Sequence, residues 1–400
     1  MSALALHDPA RHEPLTGARW DSGQAQAFVE EVVADAERAF DPGSLWPRHS
    51  LDADGGDAGP PWTGMYFGAA GVCWALAALE ARCGAAVTRR WRDEARSLVV
   101  RYRAHPDTGH RVPSYFLGEV GVLAIADDAR EHDELFALIE SNIANPTVEA
   151  LWGAPGTMLP ALFLWRRTGE LRWRDLWLRN ARWLIEQWSR HEDAGCHLWT
   201  QDLYGEIVRL TGAGHGFAGN AFALLSGLDV LSEADQADVV SRTRQTILST
   251  ARRAEGLANW SPHVGRSRAG RESVLVQWCH GAPGMITSVA ALPRDPDTDR
   301  LLAEAGELVW RAGPLTKGPS LCHGTAGNGY AFLYLFRRTG DERWLDRARG
   351  FAMHAMEQTR DARRRHGRGR YSLWTGDLGA ALFAADCGTG TPIMPTLDSL

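Results

Sequence analysis

Three short strings in this 400-residue sequence carry residue types able to do chemistry: GHGFAG with His215, WCHGAPG with Cys279 and His280, and LCHGTAG with Cys322 and His323. Two thiolates and an imidazole are favoured zinc ligands, and three protein ligands leave a fourth position for water or substrate. Cys279 and Cys322 lie more than 40 residues apart and no CxxC is present, so only a fold that gathers distant segments can make such a site. The chemistry alone leaves three alternatives open. Either His280 or His323 can be the third ligand, since each follows a cysteine. A cysteine can instead be a nucleophile with His215 as its base. Both cysteines can also be small hydrophobes at tight helix contacts.

The elements that must position these residues form a repeat. The stretch GAPGTMLPALFLWRRTGELRW from Gly153 matches GTAGNGYAFLYLFRRTGDERW from Gly324 without a gap. The unit, a GxxG followed by an apolar run, occurs seven times, at Gly68, Gly118, Gly153, Gly216, Gly281, Gly324 and Gly376. Just before the first glycine, four units carry Phe67, Leu117, Trp152 and Thr375, whereas three carry His215, His280 and His323. Between the units lie amphipathic segments of helical period. In one of them Trp173, Trp177, Ala181, Leu184 and Trp188 share a face, and similar segments occur near 22–40, 87–104, 132–144, 233–254, 296–312 and 341–356.

Small-residue helices that are apolar all round must be buried, while the longer ones turn only a stripe inward. A closed ring satisfies both patterns, and the terminal units lack the polar faces an open solenoid needs. The expected fold is therefore all-α: an α/α toroid, a double-layered barrel of seven inner and seven outer helices. One domain is expected over residues 1–400, with 1–20 as a loosely ordered tail and with exposed loops at 51–62 and 262–273. Each GxxG permits close helix approach and leaves the first helical N–H groups pointing outward, so a central pocket ringed by positive helix ends is expected.

Composition narrows the partners. A net charge of −6 without a basic stripe speaks against nucleic acid. No apolar stretch approaches about 20 residues, so no membrane span is expected. The opening MSALALHDPARHEP lacks the features of a signal peptide, which leads to the expectation of a cytoplasmic protein. Cys73, Cys83, Cys196 and Cys387 read as packing thiols. Of the 43 Lys and Arg residues only Lys317 is lysine, five places before Cys322. No GxxxxGKS phosphate loop is present.

Taken together, the seven GxxG units and the three strings resemble the lanthionine synthetase C family. WCHGAPG and LCHGTAGNGYAFL are most similar to its LanC-like branch found in animals, and the resemblance runs from about Thr63 to Cys387. It implies an α/α barrel with one Zn2+ ion, held by Cys279, Cys322 and His323. It further implies His215 as acid/base and His280 beside the ligands or lining the pocket. Glu149 falls where the bacterial cyclases carry a catalytic aspartate, and Leu275 where they often carry an arginine. Lys317 matches a lysine associated with glutathione binding in the animal-type proteins. The implied reaction is zinc-dependent addition of a thiol, from a cysteine of a dehydrated peptide or from glutathione, to dehydroalanine or dehydrobutyrine, giving a thioether. The alternative is a zinc-containing scaffold that binds a peptide or glutathione without cyclase activity, for which the departures at Glu149 and Leu275 speak. A toroid glycosidase is disfavoured, because paired carboxylates at the inner-helix entrances are missing.

Overall fold

Glycine begins every inner helix. The computed structural model describes residues 6–52, 59–265 and 274–400. Of the two stretches expected as exposed loops, 53–58 and 266–273 lie outside the described residues. In chain order the helices are α1 (Ser22–Ala39), α2 (Ala69–Cys83), α3 (Trp91–Ala104), α4 (Glu119–Ala126), α5 (His132–Ser141), α6 (Ala154–Thr168) and α7 (Leu171–Glu186). They continue with α8 (Phe217–Ser226), α9 (Glu233–Thr250), α10 (Ala282–Val289), α11 (Pro296–Ala312), α12 (Thr325–Thr339), α13 (Glu342–His366) and α14 (Asp377–Thr389). The even-numbered helices are the seven GxxG units, and the first glycine of each is the N-cap residue.

Burial follows the sequence pattern. Every residue of α4 and of α10 is buried, as helices without a polar face require. On α7 only one stripe is buried, from Trp173 through Trp177 and Ala181 to Leu184. Neighbouring inner helices pack on one another all the way round, α2 on α4 and so on to α14, which packs back on α2. The helices thus close as an α/α toroid, with the odd-numbered helices outside.

A backbone hydrogen-bond chain ties the inner-helix entrances together at one end of the ring. The residue two places before the N-cap glycine donates its N–H to the carbonyl at the same place in the neighbouring unit. Gly214 donates to Cys279 (3.3 Å), Cys279 to Cys322 (3.0 Å), Cys322 to Trp374 (3.0 Å), Trp374 to Tyr66 (3.3 Å) and Tyr66 to Phe116 (3.1 Å). The second glycine of the unit is explained by the same loop. A Cβ at Gly284 or Gly327 would lie 1.8 Å from the carbonyl oxygen of Trp278 or Leu321.

One expectation needs correction. The first helical N–H groups do not all face a central pocket, because at α2, α4, α8, α12 and α14 the entrance loop folds back and takes the first of them, and at α10 the Asn259 side chain does. Phe217 donates to the Leu210 carbonyl (2.9 Å), Thr325 to Gly318 (2.9 Å) and Asp377 to Arg370 (3.0 Å). Among the described residues three short antiparallel hairpins are set between the helices of the all-α toroid: β1 (Ser189–His191) with β2 (Cys196–Leu198), β3 (Gln201–Leu203) with β4 (Glu206–Val208), and β5 (Ala251–Ala254) with β6 (Leu257–Trp260). Strands of three or four residues are too short to show a period of two beside long helical segments.

From residue 6 onward, the stretch expected as a tail lies against the ring. Glu13 donates its N–H to the Pro314 carbonyl (2.9 Å), and its carboxylate accepts from His354 Nε2 (2.8 Å) and Gln358 Nε2 (2.6 Å). Among the described residues no helix is long and apolar enough to cross a membrane.

Candidate functional site

At the entrance end of the ring, Cys279 Sγ, Cys322 Sγ and a ring nitrogen of His323 all lie within 4.8 Å of one another. The register explains the meeting. Cys279 and Cys322 occupy the same place in adjacent units and are joined by the backbone bond from Cys279 N–H to the Cys322 carbonyl. Both cysteines are buried and His323 is half-buried. Gln277 Nε2 donates to Cys279 Sγ at 2.9 Å, and the Tyr66 hydroxyl bonds to the Cys322 thiol. The bond from Cys322 holds the Cys279 thiol well below its ordinary range, against the opposing pull of burial, with His323 adding to the effect. The same pairing, together with burial, pushes Cys322 upward.

The pairing favours the thiolate form at Cys279, and a cation held between the two sulfurs would displace the remaining proton. A trio of two buried sulfurs and a half-buried imidazole suits a thiophilic divalent ion. Packing alone does not account for it, since a cysteine that only fills space has no use for the polar donors of Gln277 and Tyr66. Among the described residues this is the one such cluster of His, Cys, Asp and Glu side chains.

Beside the cluster, His215 Nδ1 bonds to Glu149 Oε2 at 2.8 Å. Glu149 is fully buried, and it accepts two further bonds, from the N–H of Leu151 (3.0 Å) and of Trp152 (2.6 Å). Its carboxylate is aimed by a strained residue: Val148, β-branched, has φ of +40°. The Val148 carbonyl is held by the Asn220 side chain at 2.8 Å. Burial pulls the His215 pKa down, but the bond to Glu149 and the charges of Glu149 and Cys279 outweigh it, and the net shift is upward. His215 is thus bonded to a carboxylate rather than paired as base with a cysteine nucleophile.

His280 is the histidine the trio leaves out. Its ring stacks on His215 with centroids 6.1 Å apart and planes 26° apart. Burial lowers its pKa, and its Nδ1 has no hydrogen-bond partner among the described residues. Lys317 stands apart from both groups. It is exposed, and it lines a groove with Arg363, Arg370 and Thr375. Its charge reaches Cys322 as a minor influence that lowers the thiol.

Four neighbours escaped the sequence reading: Tyr66, Trp152, Tyr204 and Gln277. Tyr66 had a usable signal, because it occupies the place in its unit that Cys279 and Cys322 occupy in theirs. Trp152 occupies the place of the three histidines. Gln277 and Tyr204 stand outside the repeat and gave none.

Residues 57–394 match the sequence profile of the family described as "Lanthionine synthetase C-like protein". Over 263 residues the chain is 34% identical to "LanC-like protein GCL1" of Arabidopsis thaliana, covering 64% of this chain and 56% of that protein. Over 192 residues it is 34% identical to "Glutathione S-transferase LANCL1" of Danio rerio, covering 47% of this chain and 44% of that one. The chain spans about half the length of these relatives. The solved structure "Nisin cyclase" has the same fold, with a TM-score of 0.62 at 15% identity over 91% of this chain and 94% of that one.

Proposed function

The chain belongs to the lanthionine synthetase C-like family, and from that premise we propose that it adds a thiol to the β-carbon of a dehydroalanine or dehydrobutyrine residue, forming a thioether. The observation that carries the reading is the placement of the Cys279–Cys322–His323 trio beside the His215–Glu149 pair, at one end of one ring. Cys279, Cys322 and His323 would hold a zinc ion. When bound there, zinc supplies a Lewis acid that lowers the pKa of an incoming thiol and leaves it nucleophilic at neutral pH.

The protein's own side chains do the rest. Attack of the sulfur on Cβ moves the double-bond electrons toward Cα and the carbonyl, giving an enolate that needs a proton. His215 Nδ1 is committed to Glu149, which leaves Nε2 to deliver that proton to Cα. Its raised pKa favours the protonated ring, and the proton lost by the thiol restores it after each turnover. Glu149, held as an acceptor by two backbone N–H groups, fixes the ring orientation and favours its charged form. His280, half-buried and with its pKa lowered, forms a wall against the His215 ring.

Two thiols suit this reading. One is a cysteine of the same dehydrated peptide. The other is glutathione, supported by the name of the Danio rerio relative and by Lys317, which lacks an ion-pair partner among the described residues and can meet a carboxylate. Incubation with a dehydroalanine peptide plus glutathione should give the adduct mass. With a dehydrated cysteine-containing peptide the mass should stay constant while the alkylatable thiol disappears. Zinc-loaded protein that accelerates neither reaction would leave only a binding scaffold.

A further inference from the structure

The hairpin β3–β4 carries a side chain that the reading above does not use. Its two-residue turn, Tyr204-Gly205, has positive φ at both positions, +54° and +77°. This turn favours Asn-Gly or Asp-Gly, and a bulky aromatic at the first position is a strained choice. The turn of β5–β6, Glu255-Gly256, has the same two positive φ values, +52° and +72°, and places a charged residue there. At the other turn an aromatic is held 72% exposed.

Its surroundings distinguish it. The Tyr204 hydroxyl accepts from Trp152 Nε1 at 2.9 Å, and its ring meets His215 edge-on with centroids 6.1 Å apart. Trp152 in turn donates its backbone N–H to Glu149. The exposed face of Tyr204 therefore lies beside the imidazole assigned to proton delivery, where an acceptor peptide must pass to bring its Cα to His215.

We propose that Tyr204 is a substrate-binding residue: its ring, strapped over Trp152 and His215 by the strained turn, packs against the acceptor peptide around the dehydrated residue. The proposal rests on the reading of the reaction given above. It gives the strain a use, since an isolated aromatic in that turn serves neither the core nor solubility.

Tyr204→Asn tests it, because asparagine suits the turn and should keep or raise the melting temperature. With glutathione as thiol, KM for a dehydroalanine hexapeptide should rise roughly fivefold to tenfold, the size of one aromatic contact. Turnover of N-acetyl-dehydroalanine methyl ester, which has no flanking residues, should stay within about twofold. Glu255→Asn, the same change in the remote hairpin, should leave both substrates unaffected. An unchanged peptide KM, or equal losses with both acceptors, overturns the proposal. Fluorescence anisotropy of the labelled hexapeptide on zinc-loaded protein decides independently of turnover: weaker binding to Tyr204→Asn supports it, and equal binding or none to the parent overturns it. A parent that binds the peptide but adds no thiol instead counts against the proposed reaction.

Discussion

The sulfur side and the imidazole side of the site are held in different ways. Cys279 and Cys322 sit on loops linked directly by backbone hydrogen bonds, from Gly214 through both cysteines to Trp374. The sulfurs meet because the ring's own register brings equivalent positions together. At the unit carrying Glu149 that chain of bonds is interrupted. Leu151, the equivalent residue, gives its N–H to the Glu149 carboxylate, and the Leu151 carbonyl accepts from the Ser114 hydroxyl (2.5 Å) instead of a neighbouring N–H. The ladder is kept at the two cysteines proposed to hold the metal, and one rung is exchanged for a carboxylate beside the histidine proposed to deliver the proton.

The contrast can be broken most severely at the sulfurs. Cys322→Ala should reduce bound zinc from about one ion per chain to about none, by elemental analysis. Retention of zinc with an intact fold would remove the trio from the reading. On the other side, His215→Ala should keep its zinc and lose roughly 10²–10⁴-fold in kcat, and loss of both together would show the two sides to be one structural unit. Gln277→Leu removes the donor to Cys279 Sγ and should weaken zinc about tenfold in competition with a chelator, as partners of ligands commonly do. The smallest change concerns pH. Activity that needs protonated His215 is present below its raised pKa and falls as pH rises through it. Glu149→Gln removes the neighbouring charge, so that falling limb should move to lower pH, read from the kcat profile. A limb that stays in place would separate Glu149 from the proton step.

Much of the ring was legible because its signals are local. Each GxxG marks an inner helix through the crowding at its second glycine, and each amphipathic stripe marks an outer one. The candidate cysteines and His215 stood out as ionisable exceptions within a repeat. The hairpins were not legible, nor was the capture of the helix N–H groups by the entrance loops, because both depend on backbone bonds that leave no mark on residue type.

By itself, then, the sequence determined the alternation of inner and outer helices and the short list of ionisable residues at their entrances, since periodicity and repeat position are properties of the chain. The tertiary structure decided which of them meet. Chemistry could not choose between His280 and His323, which follow their cysteines identically. Closure of the ring sets His323 beside both sulfurs and turns His280 onto the face of His215. The choice lies in the directions of side chains on neighbouring units, and those exist only once the ring is closed.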